Sequence, residues 1–106
     1  MSKGTSLSEL RRLALALPGT FEQDHHGRPS FRVEGRIYAT VWDAAHINVM
    51  LEEPRIRSLV QGAPGTYGKG WWGGRLRCVR VDLRLVKPPH VGELLRESWE
   101  RYRRTM

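Results

Sequence analysis

The part of the chain best suited to chemistry is a glycine-rich stretch in which aromatic and cationic side chains are interleaved, Gly65–Arg77, with the sequence GTYGKGWWGGRLR. Aromatic rings can stack on unpaired bases while neighbouring cations contact phosphates, and glycines let backbone N–H groups approach an anion closely. The P-loop pattern G-x-x-x-x-G-K-[ST] is absent. The alternative is that one tryptophan closes the core and the glycines only shape a loop. Because adjacent residues of an extended segment point to opposite faces, at most one of Trp71 and Trp72 suits the core, and the other is the better site candidate.

Two further groups contain residues that often do chemistry. Adjacent histidines in a strand cannot easily chelate one ion, and no H-E-x-x-H pattern is present, so His25 and His26 are expected to fix the entry to a hairpin by hydrogen bonding. Cys78 alternates in phase with Leu76, which predicts a buried thiol rather than a nucleophile. A G-x-S-x-G nucleophile elbow is also absent. The sequence therefore predicts no catalytic residue, no metal site and no cofactor.

The charge balance is strongly basic. Eighteen Lys and Arg residues against eleven Asp and Glu give a net charge of +7, a footprint typical of nucleic-acid-binding domains. Fifteen of the cations are arginine, which suits bidentate phosphate contacts, although a high-GC genome would enrich arginine too. Residues 1–66 hold eight cations and seven anions, whereas residues 67–106 hold ten cations and four anions. We therefore expect an anionic partner to dock on the C-terminal third.

Length and composition predict one globular domain over residues 1–106. A chain of 106 residues buries enough surface for one core, and 40% hydrophobic with 27% charged residues excludes disorder. A single cysteine excludes an internal disulfide framework. No apolar run has the length of a membrane span or a secretion signal. We therefore expect a cytoplasmic protein that does not enter a membrane.

The elements that position these residues follow from periodicity. A capping box at Ser6 and Glu9 starts a first helix, which Pro18-Gly19 ends. Alternation predicts several strands, the last with a β-bulge near Cys78-Val79, whereas the residues Gln61–Gly74 are expected to form a loop. The hairpin around Gly35 allows either a two-residue or a three-residue loop, and these give different registers. The predicted elements are a helix at Leu7–Leu17, strands at Thr20–His26, Ser30–Val33, Arg36–Trp42, His46–Leu51 and Arg75–Val86, a short helix at Pro54, and a helix at Pro89–Arg104.

This order of elements predicts an α+β fold. An antiparallel sheet of about five strands carries the two longer helices on one face. The other face is expected to be open to solvent. Candidates for lining it are Arg32, Arg36, Arg80 and Arg84.

Several segments in order resemble the MmcQ/YjbR family across nearly the whole chain. They are LPGT at residues 17–20, HHGRPSFRV at 25–33, GRIYAT at 35–40, and VRVDL at 79–83. The resemblance implies a fold similar to bacterial frataxins and DNA binding through a double-wing motif, and it supplies no catalytic residues. Iron binding of the frataxin type needs an acidic ridge, which this sequence lacks because Glu9 is the single acid of the first helix.

We therefore expect a nucleic-acid-binding protein whose hairpins act as wings, with DNA or another nucleic acid as its partner. A protein-interaction or small-anion-binding module without enzymatic activity is the alternative. If the protein binds nucleic acid, Trp71 or Trp72 is expected to stack on bases or to wedge between them. The residues predicted to contact phosphates are Arg32, Arg36, Lys69, Arg75, Arg77, Arg80 and Arg84.

Overall fold

A computed structural model of the protein describes residues 4–103. The α-helices in this range are α1 (Leu7–Leu15), α2 (Glu53–Gly62) and α3 (Pro88–Arg103), and Leu83–Leu85 forms a short 3-10 helix. The strands are β1 (Phe21–His25), β2 (Arg28–Val33), β3 (Arg36–Val41), β4 (His46–Met50), β5 (Tyr67–Trp72) and β6 (Arg75–Asp82). Arg104, the predicted end of the last helix, lies outside the described residues.

The strands form one antiparallel sheet in the order β1-β2-β3-β4-β6-β5. Its two outer pairs are therefore the hairpins β1–β2 and β5–β6. All three helices pack on one face, since α2 contacts β5 and β6 while α3 contacts β3, β4 and α1. This confirms the α+β architecture with both longer helices on one face, with six strands rather than about five. None of the helices in residues 4–103 is long and apolar enough to cross a membrane.

The first helix begins at the predicted capping box. Ser6 Oγ accepts a hydrogen bond from the Glu9 N–H at 3.1 Å, and Glu9 Oε1 accepts one from the Ser6 N–H at 3.1 Å. These bonds satisfy backbone donors that the first turn of a helix leaves unpaired. The helix ends at Leu15 rather than at the predicted Leu17, yet Leu17 still belongs to the core.

A bulge at Tyr38 ties the sheet to the helices α1 and α3. Phe31 pairs with Ala39 and Arg32 with Ile37, so Tyr38 is the extra residue of β3. Its carbonyl accepts a hydrogen bond from Ser98 Oγ of α3 at 2.8 Å, and its hydroxyl donates to the Ala14 carbonyl of α1 at 3.2 Å. The polar groups that the bulge frees are thus satisfied by the helices that cover it.

Three hairpins close with two-residue turns of positive φ. The turn residues are His26–Gly27, Glu34–Gly35 and Gly73–Gly74, with φ values between 51° and 83°. Positive φ at both positions is the pattern of type I′ turns, whose twist matches that of the flanking strands. Of the two loop lengths that the sequence allowed around Gly35, the two-residue loop forms, with Val33 opposite Arg36.

The glycine-rich segment is a strand, so the predicted loop over Gln61–Gly74 is wrong for its second half. Tyr67–Trp72 forms the edge strand β5. Because glycine has no side chain, the glycines of this segment interrupt the alternation of apolar and polar residues that predicts a strand. Close packing explains the glycine at position 70. A Cβ there would overlap Cys78 Sγ and lie 3.0 Å from the Cys78 carbonyl oxygen.

The bulge predicted in β6 forms one residue before the predicted position. Gly70 pairs with Cys78 and Trp71 with Leu76, which leaves Arg77 as the extra residue. Leu76 and Cys78 therefore point to opposite faces rather than sharing one, although both are buried. Leu76 joins the core under the helices, and Cys78 lies buried on the other face, outside that core cluster.

The face of the sheet without helices, here called the helix-free face, is not open at its centre as predicted. A row of polar side chains runs across it from β2 to β6. These side chains are buried because the outer hairpins bring large side chains over them. Asn48 donates to Thr40 Oγ1 at 3.4 Å and accepts from Arg80 Nε at 3.1 Å. The buried members of the row are Ser30, Thr40 and Asn48.

Candidate functional site

Five of the nine predicted site residues line one cavity of about 640 Å³ between the β2–β3 turn and the β5–β6 turn. They are Arg32, Arg36, Trp72, Arg75 and Arg77. The two hairpins place arginines on facing walls, and Trp72 adds a ring. We call this cavity the arginine cleft. Its remaining lining residues are Gly35, Ile37, Met50, Gly73 and Tyr102.

The arginine cleft carries uncompensated positive charge. Among the described residues, four arginines line it and no carboxylate does. Within residues 4–103, none of these four forms an ion pair, whereas several arginines elsewhere do. Like charges held together in a concave surface attract counter-ions and anionic partners. The ion pairs elsewhere are Arg11–Glu22, Arg55–Glu97, Arg57–Glu53 and Arg84–Asp82.

The two adjacent tryptophans point to opposite faces, and neither belongs to the core cluster. The alternative in which one tryptophan closes the core is therefore excluded. Trp71 is 56% exposed and lines a second cavity of about 650 Å³, the helix-side cleft. Arg75, Arg77 and Tyr102 line both clefts. The helix-side cleft has mixed charge, because its lining also includes Glu52, Glu53, Arg57 and Arg101.

Trp72 also lines a third, smaller cavity of about 100 Å³ on the helix-free face. The outer hairpins meet here, although β1 and β5 are at opposite edges of the sheet. The ring centroids of His25 and Trp72 are 6.3 Å apart, with an interplanar angle of 26°. We call this cavity the tryptophan pocket. Its lining residues are His25, His26, Arg28, Thr40, Trp42, Asn48 and Trp72.

Three predicted phosphate contacts lie away from the arginine cleft. Lys69 is exposed on the edge strand β5, opposite Val79 in register, which puts it on the helix-bearing side. The guanidinium of Arg80 lies 3.9 Å from the ring centroid of Trp42. Arg84 is not in a strand, because β6 ends at Asp82 and the chain turns into the 3-10 helix.

The carboxylate of Asp82 accepts hydrogen bonds from both the backbone and the guanidinium of Arg84. It accepts from the Arg84 backbone N–H at 3.0 Å and from the guanidinium at 3.0 and 2.9 Å. These hydrogen bonds lower the pKa of Asp82, and they raise the pKa of Arg84. Arg84 was predicted to line the helix-free face as part of the last strand, and it instead lies beyond the end of β6, ion-paired with Asp82.

The histidine pair lies at the end of β1 and the start of the β1–β2 turn, with its ring centroids 4.4 Å apart. The hydrogen bond that fixes this turn comes from Asp24, whose carboxylate accepts from the Gly27 N–H at 3.1 Å. Among residues 4–103, no group of three or more potential ligand side chains could hold a metal ion. Burial raises the pKa of the Cys78 thiol to about 11, so this thiol is protonated at neutral pH.

Sequence reasoning missed three residues that shape these cavities, Arg28, Trp42 and Tyr102. The guanidiniums of Arg28 and Arg80 lie over the Trp42 ring, at 4.3 and 3.9 Å from its centroid. Trp42 stands alone at the end of a predicted strand, so no local pattern marks it. Tyr102 of α3 packs against the core and also lines both clefts.

These features define an α+β protein with two hairpins at the sheet edges and a basic cleft between turns. The family model described as YjbR matches residues 15–101, so the chain belongs to the YjbR family. The crystal structure of Deinococcus radiodurans protein DR2400, with a DUF419 domain, has a similar fold at a TM-score of 0.82 and 23% identity. The match covers 99% of this chain and 83% of that one. No curated protein matches the chain.

Proposed function

We propose that this protein binds the phosphate backbone of nucleic acid through the arginine cleft, as a cytoplasmic binding protein rather than an enzyme. The observation that carries the proposal is the concentration of four arginines around a cavity whose lining, in the described part of the chain, holds no carboxylate. Arginine presents a planar fork of donors that matches phosphate oxygens. A polyanion would neutralise several of these charges at once, with release of counter-ions.

The position of the arginines on hairpins supports the same function. Arg32 and Arg36 flank the β2–β3 turn, and Arg75 and Arg77 follow the β5–β6 turn. Hairpins can lie along a nucleic-acid groove or backbone. The alternation of β6 contributes by leaving both Arg75 and Arg77 exposed while Leu76 between them is buried.

Salt dependence tests this proposal. Fluorescence anisotropy is measured with labelled single-stranded and duplex DNA between about 50 and 200 mM salt. If all four arginines contact phosphates, the logarithm of the association constant falls against the logarithm of salt concentration with a slope of about −3 on a single strand and about −3.6 on a duplex. In the Arg75→Ala/Arg77→Ala variant we expect the slope to lose about half its magnitude.

The matched control removes two arginines elsewhere. Arg12→Ala/Arg96→Ala changes the net charge equally, and both residues are exposed on helices and line none of the three cavities. We expect its slope to stay close to that of the unmodified protein. Equal effects of the two double variants would show that net charge alone attracts DNA, and absence of binding at low salt would refute the proposal.

A protein-interaction surface is the second candidate, favoured by the helix-side cleft. Trp71 is 56% exposed there among side chains of both signs, Glu52 and Glu53 with Arg57 and Arg77. Exposed aromatic anchors with polar surroundings are typical of protein interfaces. If Trp71→Ala abolished capture of a protein partner while Arg75→Ala/Arg77→Ala did not, this function would replace the first.

A further inference from the structure

The tryptophan pocket adjoins the arginine cleft through Trp72, which lines both. The pocket's lining is mostly apolar, with polar side chains from the β1–β2 turn and from the buried row of the helix-free face. Its volume is about 100 Å³, of the same order as the roughly 150 Å³ cavity that holds benzene in another protein. The pocket is smaller than that enclosed cavity but opens to solvent on one side, so it suits a single six-membered ring with its outer edge in solvent better than a bicyclic one.

The walls of the tryptophan pocket are held in place before any ligand binds. Arg28 Nε donates to the Trp42 carbonyl at 2.9 Å, and the same guanidinium lies over the Trp42 ring. Arg80 is held in turn by Asn48. On the opposite side, the Trp72 ring lies near-parallel to His25. A site built from residues that other contacts already fix loses little entropy when it is filled.

Polar atoms in the pocket can recognise the edge of a base. The Asn48 amide has two N–H groups, one of which is used on Thr40 Oγ1. His25 and His26 each contribute a ring with donor and acceptor nitrogens. Such groups read bases whose edges are not paired.

We propose that the tryptophan pocket receives one unpaired pyrimidine base of a single strand whose phosphates lie in the arginine cleft. This inference rests on the proposed function and names its substrate class. A base within a duplex is stacked and paired, so it cannot enter a pocket of this kind without being extruded. The four arginines of the adjoining cleft favour a strand of nucleic acid over an aromatic side chain of a neutral protein.

The test compares four labelled ligands of equal length at fixed low salt: oligo-dT, oligo-dA, an abasic strand with the same phosphates, and a duplex. Stacking of one base on an aromatic platform predicts that oligo-dT binds at least about five-fold more tightly than the abasic strand. Oligo-dA is expected between the two, because a purine exceeds the pocket. This comparison uses the unmodified protein and needs no variant.

Adjacent tryptophans provide matched variants. Trp72→Leu should bring the dissociation constant for oligo-dT to that for the abasic strand, while Trp71→Leu, on the other face of β5, should leave the ratio of the two constants unchanged. Circular dichroism checks that both variants fold. Equal binding of oligo-dT and the abasic strand by the unmodified protein would overturn the pocket and leave the proposed function intact. Tightest binding to the duplex would also overturn it, and no binding to any strand would refute both.

Discussion

At the scale of single residues, the site depends on small side chains as much as on arginines. Gly70 faces Cys78 across the β5–β6 ladder, and the thiol occupies the space where a Cβ would project. The bulge at Arg77 lies between this pair and the next one, Trp71 with Leu76. The packing of Gly70 on Cys78 therefore sets how β5 lies on β6, and with it where Trp72 points.

Gly70→Ala should destabilise the fold by about 1 to 3 kcal/mol, the usual cost of overpacking a buried site. Urea denaturation measures the free energy of unfolding. Gly68→Ala is the control in the same strand, because its Cβ would meet nothing closer than Arg80 Cβ at 3.9 Å. Equal losses in the two variants would show that strand glycines matter here for a reason other than the thiol.

At the scale of elements, three tight turns connect the strands of the hairpins, and two of these hairpins line the arginine cleft. Glu34 has φ of 51°, a left-handed conformation that costs an ordinary L-residue roughly 1 kcal/mol. Asparagine followed by glycine is the preferred pair for such a turn. The β2–β3 hairpin therefore carries strain at a residue that lies beside the cleft.

Glu34→Asn should stabilise the protein by about 0.5 to 1 kcal/mol, since asparagine tolerates this conformation better than glutamate. The melting temperature and urea midpoint report the change. Glu34→Ala removes the same charge without easing the backbone, so it should not stabilise. If both variants raised the stability equally, the carboxylate rather than the turn conformation would be responsible.

The same elements show what the sequence could and could not predict. The alternation of Ile47, Val49 and Leu51 and the capping box of the first helix are local signals, and the structure confirms the elements they predict. β5 was missed because its glycines hide the alternation. Arg84 was misplaced because the Asp82 side chain bonds to the backbone two residues later and ends the strand, a local contact that competes with the ladder.

Part of the cluster of residues at the candidate site could be recognised in the sequence, but their arrangement in space could not. Arg75, Arg77 and Trp72 are close in sequence, so their cluster was recognisable. Their meeting with Arg32 and Arg36 depends on how the outer hairpins curve across the sheet, as does the contact between His25 and Trp72. Such pairings are set by sheet twist over six strands, which a single sequence does not display.

At the scale of the whole molecule, charge is distributed by the fold rather than along the chain. The C-terminal third holds most of the net charge, which predicted that a partner would dock there. The arginine cleft takes two of its four arginines from β2 and β3 instead, while several arginines elsewhere are ion-paired with carboxylates. The surface that faces an anion is thus assembled from both halves.

Burial of titratable groups makes the folded protein less stable at alkaline pH. In the folded protein, burial raises the pKa of Cys78 from 9.0 to about 11 and that of Tyr38 from 10.0 to about 12. The unfolded chain releases these protons at lower pH than the folded protein does. The free energy of unfolding therefore falls as pH rises above 9, and the contribution of each group is fully present below its unfolded pKa.

We expect the thiol alone to lower the free energy of unfolding by up to roughly 3 kcal/mol between pH 9 and pH 11, because each unit of pKa difference corresponds to about 1.36 kcal/mol. Urea denaturation at a series of pH values measures this loss. Cys78→Ala should be less stable at pH 7, since it leaves a cavity, but its stability should fall less steeply over the same range. Tyr38 remains in the variant, so a residual decline should begin only above pH 10. Parallel curves for the two proteins would contradict the assignment, because the thiol would then titrate alike in the folded and unfolded chains.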